Sequence, residues 1–259
     1  LYLKMKKIIL DLEIIKKQEL NASHYTLTLK AAEKIPVVLP GQFAQVLVDK
    51  SATTFLRRPI SIHDVNIAEN TISFYVKCVG PATQRLREYK IGEFLNVMFP
   101  LGNTFTLETE SPVLLVGGGC GVAPLLYLAK YLHAKNVPLS VLIGARNKND
   151  FSELEEYKKL GNVYLITEDG SEGEKGIVTK HSVFSQINQF KRIYCCGPEL
   201  MMKAIAKIAK QNNVECEVSL ENTMACGIGA CLCCVTDTKE GNKCVCTEGP
   251  VFNINQLKW

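Results

Sequence analysis

The sequence is short of several things, and each shortage removes a class of function. It holds one tryptophan and four histidines in 259 residues. His24, His63, His133 and His181 are scattered without ligand spacing, so no histidine-centred metal site is expected. No Ser–His–Asp arrangement and no pair of catalytic carboxylates stands out, which argues against acid–base or nucleophilic chemistry as the main work of this chain. No apolar run approaches the roughly 18 residues that would span a bilayer. The net charge of +4 is mild and points neither to nucleic acid nor to a membrane surface as a partner. The opening LYLKMKK has no apolar stretch after its charges, so no secretory leader is expected. Internal repeats and low-complexity tracts are absent.

Cysteine, by contrast, is plentiful. Eleven cysteines without a leader argue for a reducing, cytoplasmic setting in which thiols serve metal or redox chemistry. Six of them fall within Met224–Phe252, and four read Cys226-x4-Cys231-x2-Cys234-x11-Cys246. The C-x4-C-x2-C run with a distant fourth cysteine is the plant-type spacing for a 2Fe-2S cluster. Gly227 and Gly229 suit a loop that wraps tightly and brings N–H groups toward sulfur. A four-cysteine zinc site would show two short pairs, and Cys244-x-Cys246 is too tight for the second. Spacing alone does not separate Cys244 from Cys246 as the fourth ligand. Cys233, beside Cys234, is expected to point away from the metal.

The length and the 47% hydrophobic content allow more than one domain with its own core. Residues 6–105 read as short strands: 24–30 and 71–77 alternate polar with apolar, 41–48 follows a Pro40-Gly41 turn, and 92–98 reads as a further strand. A helix is expected near 82–89. Together these predict a small antiparallel barrel or sandwich. Within it, Arg58, Pro59 and Ser61 could hold a diphosphate and a polar ring edge, or form an ordinary strand with a surface Arg pair. Gly80-Pro81-Ala82-Thr83 opens a short helix, whose N-terminus is either a second anion site or simply capped by Thr83.

Near residue 111 the pattern changes. The apolar run 112–116 reads as a strand buried on both faces, and it ends in Gly117-Gly118-Gly119-Cys120-Gly121 before a helix. Strands at 139–144, 163–167 and 192–196 then alternate with helices from about 151 and at 198–211, with a further segment at 177–188. This is a βαβ series and hence a parallel sheet. Ligands of such sheets bind at the carboxyl ends of the strands, here 117–121, 144–146, 168–170 and 196–198. The glycine loop is not a G-x-G-x-x-G fingerprint, because residue 122 is valine and no acid follows about twenty residues on. It supports either a dinucleotide or phosphate at the turn, or tight packing alone. Cys196 is the member of Cys195-Cys196 placed to line a site, since Gly197-Pro198 open the next helix. Cys78, Cys120 and Cys216 read most simply as core thiols.

Taken together, residues 58–61, 80–83, 117–124 and 196–201 resemble the ferredoxin–NAD(P) reductase superfamily. With the cysteine segment, the chain resembles the electron transfer subunits of NAD-dependent (class B) dihydroorotate dehydrogenases almost end to end. The resemblance implies a multi-domain β plus α/β fold: an FAD-binding antiparallel β-barrel (1–106), an NAD-binding parallel α/β domain (107–218) and a small 2Fe-2S lobe (219–259). It implies that Arg58, Pro59, Ile60 and Ser61 contact FAD, that Tyr75, Val76 and Lys77 flank the flavin nucleotide, and that Ala82 and Thr83 lie at the diphosphate. The glycine loop (Gly117, Gly118, Gly119, Gly121) with Cys196 and Gly197 would serve NAD. Cys226, Cys231, Cys234 and Cys246 would hold the cluster, Cys246 being chosen because it directly precedes Thr-Glu-Gly-Pro-Val-Phe. The implied activity is electron relay in pyrimidine biosynthesis. A partner catalytic subunit bearing FMN would oxidise dihydroorotate, and electrons would pass through 2Fe-2S and FAD to NAD+, in a heterotetramer with two copies of each subunit. The rival readings are a reductase subunit of another flavin and iron–sulfur complex, where the first cluster ligand can be Asp, and a non-enzymatic scaffold with a zinc-stabilised lobe.

Overall fold

The computed structural model describes residues 7–48 and 54–259; the opening residues on which the leader expectation rests lie largely outside that range. The first part is a closed antiparallel barrel of β1 (Ile8–Glu19), β2 (His24–Lys30), β3 (Phe43–Val46), β4 (Arg58–Asn66), β5 (Thr71–Lys77) and β6 (Phe94–Leu101), in the order β1-β2-β5-β4-β3-β6. Period-two alternation builds it. Tyr25, Leu27 and Leu29 on β2 and Ile72, Phe74 and Val76 on β5 fill the barrel together with Leu12 and Ile14. Tyr75, on the opposite face of β5, turns outward to the second domain's core. Helix α1 (Pro81–Glu88) follows β5, with Pro81 at its first turn and the Thr83 hydroxyl accepting from the N–H groups of Val79 and Gly80 at 2.9 and 3.2 Å.

The second part is a seven-stranded sheet. β7 (Val113–Gly118), α2 (Ala123–Ala134), β8 (Leu139–Ala145), α3 (Leu154–Lys158), β9 (Asn162–Thr167), β10 (Glu174–Lys175), β11 (Arg192–Cys196), α4 (Glu199–Gln211) and β12 (Glu215–Ser219) follow in chain order. With β15 (Val251–Asn253) from the end of the chain, the sheet order is β10-β9-β8-β7-β11-β12-β15, parallel except at its last edge. On β7, Leu114 and Val116 pack into one core layer and Val113 and Leu115 into the other, as the unbroken apolar run requires. Helix α3 is shorter than expected from residue 151: it begins at Leu154, after Glu153 in a left-handed conformation (φ 56°). The 177–188 segment forms 3-10 turns.

The last part carries the hairpin β13 (Val235–Thr238) and β14 (Gly241–Cys244), helix α5 (Val245–Glu248) and strand β15 (Val251–Asn253). β15 pairs antiparallel with β12, so the cysteine-bearing tail completes the sheet of the preceding domain. Cys234, Val245, Cys246, Phe252 and Leu257 share one buried cluster with Phe43 of the barrel and Leu114 of β7. Trp259 packs against this cluster, and Lys203 lies 5.7 Å over its ring. Among the described residues no helix is long and apolar enough to cross a membrane.

Candidate functional site

Three parts of the chain meet at one cleft. A cavity of about 480 Å³ is lined by Arg58, Pro59, Ile60 and Ser61 of β4 and by Tyr75, Val76 and Lys77 of β5. Its far wall is Cys120, Gly121 and Cys196 of the second domain, and its floor runs from Ser219 to Met224, directly before the cysteine loop. The volume is in the range of small-molecule and cofactor sites. Thr83 lines the cleft, whereas Ala82, one residue earlier on α1, turns its side chain inward and is buried. Arg58 and Lys77 face the cleft without an ion-pair partner among the described residues, so two cations stand ready for an anion.

A second cavity of about 580 Å³ lies at the carboxyl ends of the parallel strands, lined by Gly118, Gly119, Gly144, Arg146, Glu168 and Met201 among others. Lys77 lines both cavities, and the His24 and Cys120 side chains meet where they adjoin, Nε2 to Sγ at 3.8 Å. Gly119 is in the left-handed region (φ 56°), with open space where a side chain would go. Gly121 is there for close packing, since a Cβ would lie 2.0 Å from the Cys196 carbonyl oxygen. Gly117 packs against Val122 and Leu125 and lines neither cavity, and Gly197 sits against Gly118 and Met201. Burial pushes the Cys120 thiol up to about 11 and Cys196 up to about 12, so both are neutral at physiological pH. Cys120 is therefore a thiol of the cleft wall, half-exposed, and not the core residue expected from sequence.

The cysteine loop folds over the outer face of the barrel. Cys226 accepts from the N–H groups of Ile228 and Cys231, each at 3.4 Å; Cys246 accepts from Gly229 N–H at 3.2 Å and Cys234 from Cys246 N–H at 3.4 Å. Cys231 is close enough to act on the Cys226 thiol, and Cys234 on those of Cys246 and Cys244. No three ligating side chains among the described residues gather as they would about one metal ion. Burial opposes a charge on Cys226, but the N–H groups of Ile228 and Cys231 outweigh it and bring this thiol down to about 6. Burial, then the neighbouring Cys234, raises Cys246. Gly227 and Gly229 have φ of 71° and 83°, and Leu232 one of 59°. Cys233 is exposed, and Cys234 and Cys246 are buried.

Comparison with known proteins bears on this arrangement. Residues 221–258 match the iron–sulfur cluster binding domain of dihydroorotate dehydrogenase B, and residues 115–207 match the oxidoreductase NAD-binding domain. The chain is 39% identical to the dihydroorotate dehydrogenase B (NAD(+)) electron transfer subunit of Caldanaerobacter subterraneus, across 92% of this chain and 94% of that one. It is 41% identical to the subunit of the same name from Clostridium acetobutylicum, across 85% and 86%. The chain belongs to this family of electron transfer subunits. A solved structure described as an NADH-dependent reduced ferredoxin-NADP oxidoreductase superposes with a TM-score of 0.86 at 29% identity, covering 96% of this chain and 90% of that one.

As an electron transfer subunit of dihydroorotate dehydrogenase B by family, the chain has residues that fit the groups its sequence implies. The four cysteines at plant-type spacing, of which Cys226, Cys234 and Cys246 already accept backbone N–H bonds, suit two irons better than a mononuclear zinc, and Arg58 and Lys77, without an ion-pair partner among the described residues, suit a flavin diphosphate. One residue that sequence reasoning passed over stands out. Gln45 of β3 is fully buried, and neither its Nε2 nor its Oε1 has a partner among the described residues. Leaving such groups unsatisfied costs about 1–3 kcal/mol each. No local signal marks it, because only the packing of the cysteine loop on the barrel buries it.

Proposed function

We propose that this chain passes electrons between an FMN-containing catalytic subunit and NAD+ in a cytoplasmic dihydroorotate dehydrogenase of pyrimidine biosynthesis, a heterotetramer with two copies of each subunit. The observation that carries the reading is the meeting, at one cleft, of barrel strands β4 and β5, the ends of the parallel strands, and the segment that leads into the cysteine loop. On this reading the chain divides into an FAD part (1–106), an NAD part (107–218) and a cluster part (219–259) that borrows the NAD part's sheet.

Arg58, Pro59, Ile60, Ser61, Tyr75, Val76, Lys77, Ala82 and Thr83 form the FAD region, with Ala82 acting through its backbone and its place on α1. Gly117, Gly118, Gly119, Gly121, Cys196 and Gly197 form the turns that receive NAD: Gly118 and Gly119 line the second cleft, Gly117 and Gly197 pack the turns, and Gly121 and Cys196 line the first cleft, where NAD would have to meet the flavin. Cys226, Cys231, Cys234 and Cys246 hold the cluster. When bound, FAD and a 2Fe-2S cluster supply the exchange between single electrons and hydride that this reaction needs. The chain's own residues do the rest. Arg58 and Lys77 neutralise an anionic ligand, Leu220 and Met224 shield the cleft from water, and the N–H groups of Ile228, Gly229 and Cys231 favour charged sulfur.

The test mixes this chain with its FMN subunit, dihydroorotate and NAD+. NADH should form only when both subunits are present. Cys231→Ser should abolish that coupling and the iron content, yet retain FAD and NADH-driven reduction of a dye. Undiminished coupled turnover in Cys231→Ser would show that the cysteine loop is not on the route.

A further inference from the structure

We propose that Gln45 donates its side-chain amide N–H to a sulfur of the cluster site and thereby positions and tunes that site from the barrel. The inference rests on the cluster reading above and adds a residue outside the cysteine loop. Strand β3 alternates: Ala44 and Val46 point into the barrel, while Phe43 packs outward in the cluster that holds Cys234 and Cys246. Gln45 shares the outward face with Phe43. It lies under the loop at Gly227, where a Cβ would come within 2.7 Å of Gln45 Cγ and 2.9 Å of Nε2. Gly227 follows Cys226 directly, and its left-handed φ of 71° and lack of a side chain let the loop rest on the glutamine.

Both polar atoms of Gln45 are buried and have no partner among the described residues. Its neighbour Gln42, by contrast, spends its amide on Leu39 N–H at 2.8 Å and the Gly102 carbonyl at 3.3 Å. A buried amide is retained where something accepts from it, and sulfur carrying negative charge is the acceptor that the reading above places beside Gly227. Across the ladder Gln45 pairs with Pro59, a wall residue of the flavin cleft. It therefore ties the loop to the strand pair that forms that cleft. An N–H aimed at cluster sulfur favours the reduced, more negative state, so its removal lowers the potential.

The test uses the full chain with its cluster and FAD, grown with glutamine labelled with nitrogen-15 at Nε2. Electron spin-echo spectra of the reduced cluster should show a nitrogen-15 coupling that is lost in Gln45→Met. The midpoint potential of Gln45→Met should shift to more negative values, with FAD content unchanged. If Gln45→Met fails to assemble a cluster, the labelled wild-type spectrum decides: the coupling supports the proposal and its absence overturns it. An intact cluster with no such coupling and an unchanged potential in Gln45→Met overturns the role of Gln45 and leaves the cluster assignment standing. Protein lacking iron and acid-labile sulfide overturns that assignment, and this proposal with it.

Discussion

Arg58 and His24 show how single side chains shape the cleft. Arg58 faces it half-buried and without a carboxylate partner among the described residues, so its charge is available to a ligand. A charge-assisted hydrogen bond is worth about 1.5–3 kcal/mol, so Arg58→Ala should weaken FAD binding by roughly 10- to 100-fold. Flavin retained after dialysis measures this; unchanged retention would place the diphosphate elsewhere. His24 is buried, with Nδ1 2.9 Å from Asn21 Oδ1, and burial, then Lys77, lowers its pKa below 6.5. The unfolded chain therefore binds a proton that the folded chain resists. Stability should fall as pH drops through about 6.5 and level off below the lowered value. Urea unfolding between about pH 7 and pH 5 should show a shallower loss in His24→Gln than in the wild type. Equal slopes would mean that His24 titrates normally.

Among the elements, β15 has the most to say about how the cysteine segment is held. It is three residues long, yet it closes the sheet against β12 and buries Phe252 to 3% exposure. Phe252→Ala should cost about 3–5 kcal/mol of unfolding free energy and release iron before flavin on mild denaturant. Simultaneous loss of both would show that the lobe does not open separately. Strands β2, β5 and β11 were readable from sequence to the residue, because alternation or an unbroken apolar run is a local signal. The iron–sulfur character of the cysteine segment was readable as well, since three of its cysteines lie within nine residues at a plant-type spacing; which four hold the cluster is proposed above from that spacing and from family resemblance. β12 and β15 were not, because strands as short as these, β15 at the very edge of the sheet, are defined by the partners they meet. Helix α3 was over-extended at its start, where Glu153 takes a left-handed turn and its carboxylate meets His63 Nε2 at 3.0 Å. Gln45 was invisible for the same reason as β15: its role depends on which loop covers it.

At the scale of the whole molecule, the barrel and the α/β domain are joined by specific contacts as well as by apolar packing. Tyr127 OH donates to the Val38 carbonyl at 2.8 Å, Lys130 pairs with Asp64 at 2.5 Å, and His63 Nδ1 donates to the Ala123 carbonyl at 2.7 Å. These fix the cleft between them, and the cysteine loop is anchored to both sides through Phe43 and Leu114. The arrangement places a flavin-sized cleft, a dinucleotide-sized cleft and a cysteine loop around one junction. That is the order in which a carrier between a partner subunit and NAD+ would need them. The measurement that tests this account most directly is the content of iron, acid-labile sulfide, zinc and FAD in freshly purified, anaerobically handled protein. The account predicts about two irons, about two sulfides and about one FAD per chain, with no zinc. Zinc without sulfide or flavin would contradict the cluster assignment and the relay together.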